Sequence, residues 1–185
     1  KKGYSVLIDG LKNKNLKFTN NIRVLPDSAV GNLQLAVARN SVINIRSEPK
    51  HSAELGTQGL LGMPLKVLDK KGDFYRIQTP DNYISWVDKG GITRMNKGEF
   101  DAWNQSKKVI FIKNFGNVFS DKTYNSTIIS DITLGGTLQY ISEDNQFYEV
   151  KYPDNRIGFI KKEEALIYES WMQNLNATGE NIEAI

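Results

Sequence analysis

The stretch from Leu61 to Lys89 reads LGMPLKVLDKKGDFYRIQTPDNYISWVDK, and a second copy of its pattern lies 73 residues downstream. Residues 134–162 read LGGTLQYISEDNQFYEVKYPDNRIGFIKK, and the two copies align without a gap. Ten positions are identical, including a Leu-Gly pair, a Phe-Tyr pair and a Pro-Asp-Asn turn. Repetition of this kind indicates two copies of one structural unit. We therefore predict two similar domains in tandem.

The hydrophobic pattern around the first copy is typical of short strands. Leu33, Leu35 and Val37 alternate with other residues, and Ile43 and Ile45 repeat this period of two. Gly, Pro, Asp and Asn residues separate the apolar segments at short intervals. Short strands with this spacing and turn chemistry favour a small barrel. The two copies thus predict a mainly β protein made of two small β-barrels.

The segments outside the repeat predict three further parts. Asn96 can cap a short helix on which Phe100 and Trp103 share one face. From Lys161 to Asn174 the apolar residues follow a helical stripe, and a further helix is possible at Glu180. The predicted units are an N-terminal extension packed on the first barrel (1–32), a first barrel (33–95), a helical linker (96–107), a second barrel (108–168), and a C-terminal helix and tail (169–185).

Composition excludes several classes of function. The 185 residues include no cysteine and one histidine, which argues against thiol catalysis, disulfides and histidine-based metal or triad chemistry. We expect no cofactor and no metal. No apolar run approaches the roughly 18 residues of a membrane span. The net charge of +3 is spread among interleaved acids and bases, so a nucleic-acid partner is not expected.

One polar loop and two aromatic residues are the candidate binding site. Arg46, Glu48, His51 and Glu54 form a polar group after the second strand of the first barrel. Their carboxylates could hold the free amino end of a peptide, with Tyr83 and Trp86 as an aromatic wall. Two of these residues have a structural alternative. Arg46 could pair with a neighbouring acid, and His51 could be an ordinary surface residue. Because Trp86 aligns with Phe159, a core position is favoured for it.

The same residues carry a family resemblance. The strings NIRSEPKHSAELGTQGLLG and VLDKKGDFYRIQTPDNYISWVD resemble bacterial SH3-like domains. More particularly, they resemble the first SH3-like domain of NlpC/p60-type cell-wall cysteine peptidases that cleave γ-D-glutamyl bonds in murein peptides. The segments LPDSAVG and MNKGEFDAW, and the tail GENIEAI, are also similar to that family.

The resemblance implies a role in substrate recognition. In that family the first SH3-like domain borders the active-site cleft and helps hold the free L-alanine end of the substrate through an acidic residue and a tyrosine. By motif position these are Glu48 and Tyr83 here, whereas the second copy has Asp121 and Arg156 at the matching places. The catalytic domain of the family supplies a cysteine nucleophile, which this chain lacks.

We therefore expect a non-catalytic module that recognises and positions murein peptides for an NlpC/p60-type cysteine peptidase. The expected partners are a murein peptide or peptidoglycan and a C-terminal catalytic domain. The expected location is the cell envelope or the exterior, after removal of a signal peptide, with the cytoplasm as the alternative. The alternative function is a stand-alone module that binds a protein partner or intact peptidoglycan.

Overall fold

The computed structural model describes residues 2–14, 17–123 and 126–175, and its first part is a seven-stranded antiparallel sheet. In this sheet the spatial order of the strands is β3-β2-β6-β5-β4-β1-β7. The strands are β1 (Leu35–Ala38), β2 (Val42–Arg46), β3 (Leu55–Leu60), β4 (Pro64–Lys71), β5 (Phe74–Gln78), β6 (Ile84–Asp88) and β7 (Ile92–Met95).

A second seven-stranded sheet repeats this topology, in the order β10-β9-β13-β12-β11-β8-β14. Its strands are β8 (Lys108–Phe111), β9 (Phe115–Phe119), β10 (Ile128–Thr133), β11 (Thr137–Glu143), β12 (Phe147–Lys151), β13 (Ile157–Lys161) and β14 (Ala165–Ile167). Three α-helices accompany the sheets in the described residues: α1 (Lys2–Asn13), α2 (Lys97–Gln105) and α3 (Tyr168–Asn174). The prediction of a mainly β chain with two tandem barrels is confirmed.

Each sheet curls around its own hydrophobic core. In the first barrel, apolar side chains from β1, β2, β4, β5, β6 and β7 meet in one buried cluster that also holds Val30. In the second barrel, Phe111, Leu138, Val150 and Ile160 belong to a matching cluster. Alternate residues of β2 and β6 face the first of these clusters, as the period of two predicts.

The turns that repeat between the copies have the same backbone conformation. Gly62 and Gly135 have φ angles of 89° and 84°, and Asn82 and Asn155 both have φ of 70°. Glycine adopts this left-handed region without steric cost, and asparagine tolerates it better than most residues. The identical residues of the repeat are therefore those that shape its turns as well as its core.

The linker helix α2 begins as the sequence predicts. The Asn96 side chain accepts a hydrogen bond from the Glu99 amide, and the Glu99 carboxylate accepts one from the Asn96 amide. This capping box satisfies two backbone donors at the start of the helix. Trp103 is buried against Val37 and Met95, so the helix docks on the first barrel.

The later part of the N-terminal extension is bound to the first barrel. Arg23 donates two hydrogen bonds, of 2.7 and 2.6 Å, to the buried carboxylate of Asp69. The amide of Asp27 donates to the carbonyl oxygen of Leu68 at 2.8 Å. Val30 enters the core cluster of the barrel, whereas Val6 of helix α1 is 71% exposed.

The two barrels touch through their repeated Leu-Gly turns. The amide of Thr137 donates to the carbonyl oxygen of Leu61 at 2.9 Å, and the Leu61 side chain lies in the core cluster of the second barrel. The ring nitrogen of Trp103 donates to the carbonyl oxygen of Gly62 at 3.4 Å. The linker helix and the first turn thus hold the second barrel against the first.

The structure corrects two of the predictions. Trp86 is half-buried and lies outside the core, because it occupies the outward face of β6. The helix expected from Lys161 begins at Tyr168, since residues 165–167 form β14 and pair with β8. The predicted tail and the possible helix at Glu180 lie outside the described residues.

Candidate functional site

The candidate site is built on the loop between β2 and β3. The Arg46 guanidinium donates to the carbonyl oxygen of Ala53 at 2.7 Å, and the Ser47 amide donates to that of Glu54 at 3.0 Å. The Ser85 hydroxyl of β6 donates to the carbonyl oxygen of Arg46. These bonds close the base of the loop, so Arg46 has a structural partner in the backbone rather than in an acid.

One groove lies between this loop and the end of β6. It has a volume of about 270 Å³, and Arg46, His51, Phe74 and Asp88 are among its lining residues. His51 lies 3.5 Å from the Asp88 carboxylate, and its ring meets the Phe74 ring edge-on at 5.0 Å between centroids. The His51 side chain is 77% exposed, so one face of the ring remains open to a ligand.

Glu48 presents an ionised carboxylate on the outer side of the loop. Its side chain is 61% exposed and lies 2.7 Å from the Lys50 ammonium. The hydrogen bond from Lys50 lowers the pKa of Glu48, and the charge of Lys71 lowers it further. The group is therefore negatively charged at neutral pH and available to a cationic ligand. Glu54 is also exposed, and its backbone carbonyl holds the loop base.

Trp86 lies on the outward face of β6, and Tyr83 directly precedes this strand. Trp86 pairs across the sheet with Arg46 on one side and Arg76 on the other, and the Arg76 guanidinium stacks over its ring at 5.7 Å. Tyr83 is 40% exposed, and its hydroxyl covers the backbone of Gly56, where a methyl group would collide with it.

Tyr83 lies beside the base of the loop. Its hydroxyl lies against Gly56, two residues after Glu54, whose carbonyl oxygen accepts the Ser47 amide hydrogen bond that closes the loop. Glu48 and His51 belong to this same loop.

The matching positions of the second barrel have different partners. The Asp121 carboxylate accepts a hydrogen bond from the Thr123 amide at 2.8 Å. The Asp121 amide donates to the Ser126 hydroxyl at 2.9 Å, so both groups of Asp121 stabilise the local loop. Arg156 donates to the Asp154 carboxylate and stacks over Tyr152 at 4.2 Å. The exposed tyrosine of the first barrel is therefore replaced in the second by an arginine whose guanidinium is bound by Asp154.

Phe74 and Asp88 are groove residues that sequence reasoning did not select. Phe74 is one of the repeated core aromatics, and Asp88 is a single acid at the end of a strand. The informative signal was the difference between the copies, because the residue that aligns with Asp88 is Lys161.

The described residues offer no evident metal site. Within residues 2–14, 17–123 and 126–175, no three His, Cys, Asp or Glu side chains are grouped so that they could hold an ion. In the same ranges, no helix has the length and apolar character needed to cross a bilayer.

Comparison with known proteins places this geometry in a family context. Residues 41–93 match the family model described as the bacterial SH3 domain, and they include the candidate loop and the groove. The comparison with curated proteins found no match.

Two solved structures share the fold. An NlpC/P60 family protein from Bacillus cereus ATCC 10987 superposes with a TM-score of 0.61 and 20% identity, over 72% of this chain and 56% of that one. An NlpC/P60 endopeptidase from Photobacterium damselae subsp. piscicida gives a TM-score of 0.54 and 12% identity, over 80% of this chain and 36% of that one. The chain therefore spans about half of the first protein and about a third of the second. At these identities the likeness concerns the fold.

Proposed function

We propose that the first barrel recognises the free amino end of a murein peptide and positions it for an NlpC/P60-type peptidase. The observation that carries this proposal is the exposed, ionised Glu48 in a bacterial SH3 domain, on the same loop as His51 and with Tyr83 packed beside the base of that loop. The chain itself supplies no thiol nucleophile, so hydrolysis belongs to another domain.

The electrostatics of the loop suit an ammonium ligand. Glu48 and Asp88 place carboxylates on the loop and in the groove, and both are partly exposed. Lys50 is the present partner of Glu48, and its side chain is 56% exposed, so it can swing away at small cost. A peptide ammonium would then replace the Lys50 ammonium in a charge-assisted hydrogen bond.

The flanking rings supply the apolar part of the recognition. Tyr83 is held by its packing over Gly56 and by the hydrogen bond from its amide to the Thr79 hydroxyl at 3.1 Å. A ring fixed in this way packs against a small side chain such as alanine with little loss of side-chain entropy. The proposal assigns Glu48 to the amino group and Tyr83 to the adjoining methyl group.

Calorimetric titration with the peptide L-Ala-γ-D-Glu-diamino acid tests this proposal. We expect binding by the intact chain and about tenfold or greater weakening in Glu48→Gln, because a charge-assisted hydrogen bond contributes about 1.5–3 kcal/mol. Acetylation of the peptide removes its ammonium group. The affinity of the wild type for the acetylated peptide should therefore be no higher than the affinity of Glu48→Gln for the free peptide.

Asp121→Asn is the matched control, since Asp121 aligns with Glu48 in the second barrel. It should leave the affinity for the peptide unchanged. Equal binding of the acetylated and free peptides, or no heat of binding at millimolar peptide, contradicts the proposal.

An exposed apolar patch favours a second candidate function, which is binding to a protein partner or to intact peptidoglycan. Leu55, Tyr83 and Ile84 are each at least 40% exposed on the first barrel. Sedimentation with insoluble peptidoglycan distinguishes the two: co-sedimentation that free peptide does not compete with favours the second function. A reading frame that continues after Ile185 into a cysteine-peptidase domain favours the first.

A further inference from the structure

We propose that the second barrel has its own binding groove, which takes a peptide carrying a carboxylate next to an apolar side chain. The groove has a volume of about 410 Å³, and its lining includes Phe119, Phe147, Lys122, Lys161, Lys162 and Glu163. It lies at the place that corresponds to the His51 groove of the first barrel. The proposal does not depend on murein recognition by the first barrel.

The correspondence follows from the repeat. Phe119, Phe147, Lys161 and Glu163 align with Arg46, Phe74, Asp88 and Gly90, and all four of these first-barrel residues line the smaller groove. The same site of the fold is therefore hollow in both copies. What differs is the set of side chains that faces it.

The charge of the groove differs between the copies. Three lysines and one glutamate line the second groove, whereas one arginine, one aspartate and His51 line the first. The change from Asp88 to Lys161 replaces an acid with a base at the end of the equivalent strand. The second groove therefore presents an ammonium at the place where the first presents a carboxylate.

Lys161 is the ammonium that is available to a ligand. Lys122 lies 2.8 Å from the Asp144 carboxylate and Lys162 lies 3.0 Å from that of Glu143, so both are occupied by ion pairs. Lys161 is 4.0 Å from its acid, Glu163, and 43% of its side chain is exposed. A pair at this distance is weak, and a ligand carboxylate can displace it.

Two aromatic rings contribute apolar surface to the groove. Phe119 and Phe147 are half-buried in its wall, and Phe159 pairs with Phe119 across the sheet. The Lys161 ammonium lies 6.0 Å from the Phe119 ring centre, and the Lys122 ammonium 5.2 Å from that of Phe159. One free positive charge beside aromatic surface matches a single carboxylate attached to an apolar group better than a phosphate, which has more charge and no apolar part.

The wall of the groove is held in place. The Asp144 carboxylate accepts hydrogen bonds of 2.8 Å from the amides of Gln146 and Phe147. The Lys122 ammonium and these amides keep the pKa of Asp144 far below its ordinary value, so the carboxylate stays ionised at any physiological pH. Phe147 is therefore positioned before a ligand arrives.

Titration of the ¹⁵N-labelled chain with acetyl-alanyl-phenylalanine, followed by NMR, tests the proposal. The free acid should shift the amide signals of residues 119, 147 and 161–163, and the corresponding C-terminal amide should bind about tenfold or more weakly. Inorganic phosphate should bind more weakly than the acid. Lys161→Asp should reduce the affinity for the acid about tenfold or more, and Lys161→Gln should reduce it to that of the amide.

Lys113→Asp is the control, because it makes the same charge change at an exposed position of the same barrel. It should change the affinity less than about twofold, because Lys113 is not among the residues that line the groove and the charge of an exposed side chain is screened by salt. Four results overturn the proposal: equal binding of acid and amide, phosphate binding as tight as the acid, signal shifts confined to the first barrel, or no binding at millimolar peptide. Equal effects of the Lys161→Asp and Lys113→Asp changes also overturn it.

Discussion

Lys108 is a lysine that the fold takes partly out of water. Its ammonium donates to the Ser106 carbonyl at 2.9 Å, to the Ser106 hydroxyl at 2.7 Å and to the Trp103 carbonyl at the end of α2. It also lies 4.8 Å from the centre of the Trp103 ring. Burial lowers the pKa of Lys108 from 10.5 to about 8, against an opposing contribution from Glu169.

This pKa predicts how stability depends on pH. The folded state loses the Lys108 proton near pH 8 and the unfolded state near pH 10.5, so between these values the unfolded state binds more protons. The free energy of unfolding of the wild type, relative to Lys108→Met, should therefore rise across this range. Because the Lys108 side chain is only partly buried, we expect this free energy to rise by about 1 kcal/mol, which is less than the whole pKa shift would give. Urea denaturation at pH 7.5, 9 and 10.5 measures it, and a flat or falling difference contradicts it.

At the scale of elements, α2 holds the molecule together. It starts at a capping box and buries Trp103, which is 4% exposed, between the first barrel and the turn at Gly62. Its end is bound by Lys108, the first residue of β8. A helix of 9 residues is too short to be stable alone, so these contacts are what form it.

Truncation of Trp103 measures this contribution. Trp103→Ala should lower the free energy of unfolding by about 3–5 kcal/mol, since it removes a large buried ring. Asn104→Ala changes the next, exposed residue of the same helix and should cost less than about 0.5 kcal/mol. Chemical denaturation of both variants gives the values. A melting temperature of Trp103→Ala equal to that of the wild type would show that the helix does not join the barrels.

At the scale of the whole molecule, the repeat is symmetric in its strands and asymmetric where its copies meet. Leu61 and Leu134 are the same residue at the same place in the repeat. Leu61 is 1% exposed and belongs to the core of the second barrel, while Leu134 is only half-buried. The first turn therefore contributes to the core of the second barrel.

Glycine substitutions separate this contact from ordinary turn strain. An added methyl group at Gly62 would collide with the backbone and side chain of Thr137, whereas Gly72 has open space and also a positive φ. Gly72→Ala should cost about 1–2 kcal/mol from its backbone conformation. Gly62→Ala should cost about 1–3 kcal/mol more from overpacking between the barrels. Thermal denaturation measures both variants. An equal loss of stability in Gly62→Ala and Gly72→Ala would contradict a tight contact between Gly62 and Thr137.

Local patterns predicted most of the fold because they act over a few residues. Alternating apolar residues and turn residues indicate β1, β2, β4, β5 and β6, and Asn96 indicates the start of α2. The strand β3 was missed, since Leu55–Leu60 contains two glycines and lacks a clear alternation. Residues 165–167 were assigned to a helix because their pairing with β8 joins positions more than 50 residues apart.

The candidate site was only partly predictable. Glu48 and Tyr83 could be selected by their position in the family resemblance, and His51 because it lies in the polar loop after the second strand. The groove needs the loop, the β5 start and the β6 end together, so Phe74 and Asp88 could not be chosen from local sequence. The outward position of Trp86 likewise depends on the face that β6 turns to the core.

The sequence by itself determined that the chain contains two copies of a small barrel, that α2 links them, and that its 185 residues supply no thiol. These conclusions follow from period, turn residues and residue types, which are local properties. Only the tertiary structure decided that Leu61 enters the other barrel and that one hollow of the fold has Asp88 in the first copy and Lys161 in the second. Such properties arise when distant segments pack together, because the environment of a side chain is set by its neighbours in space.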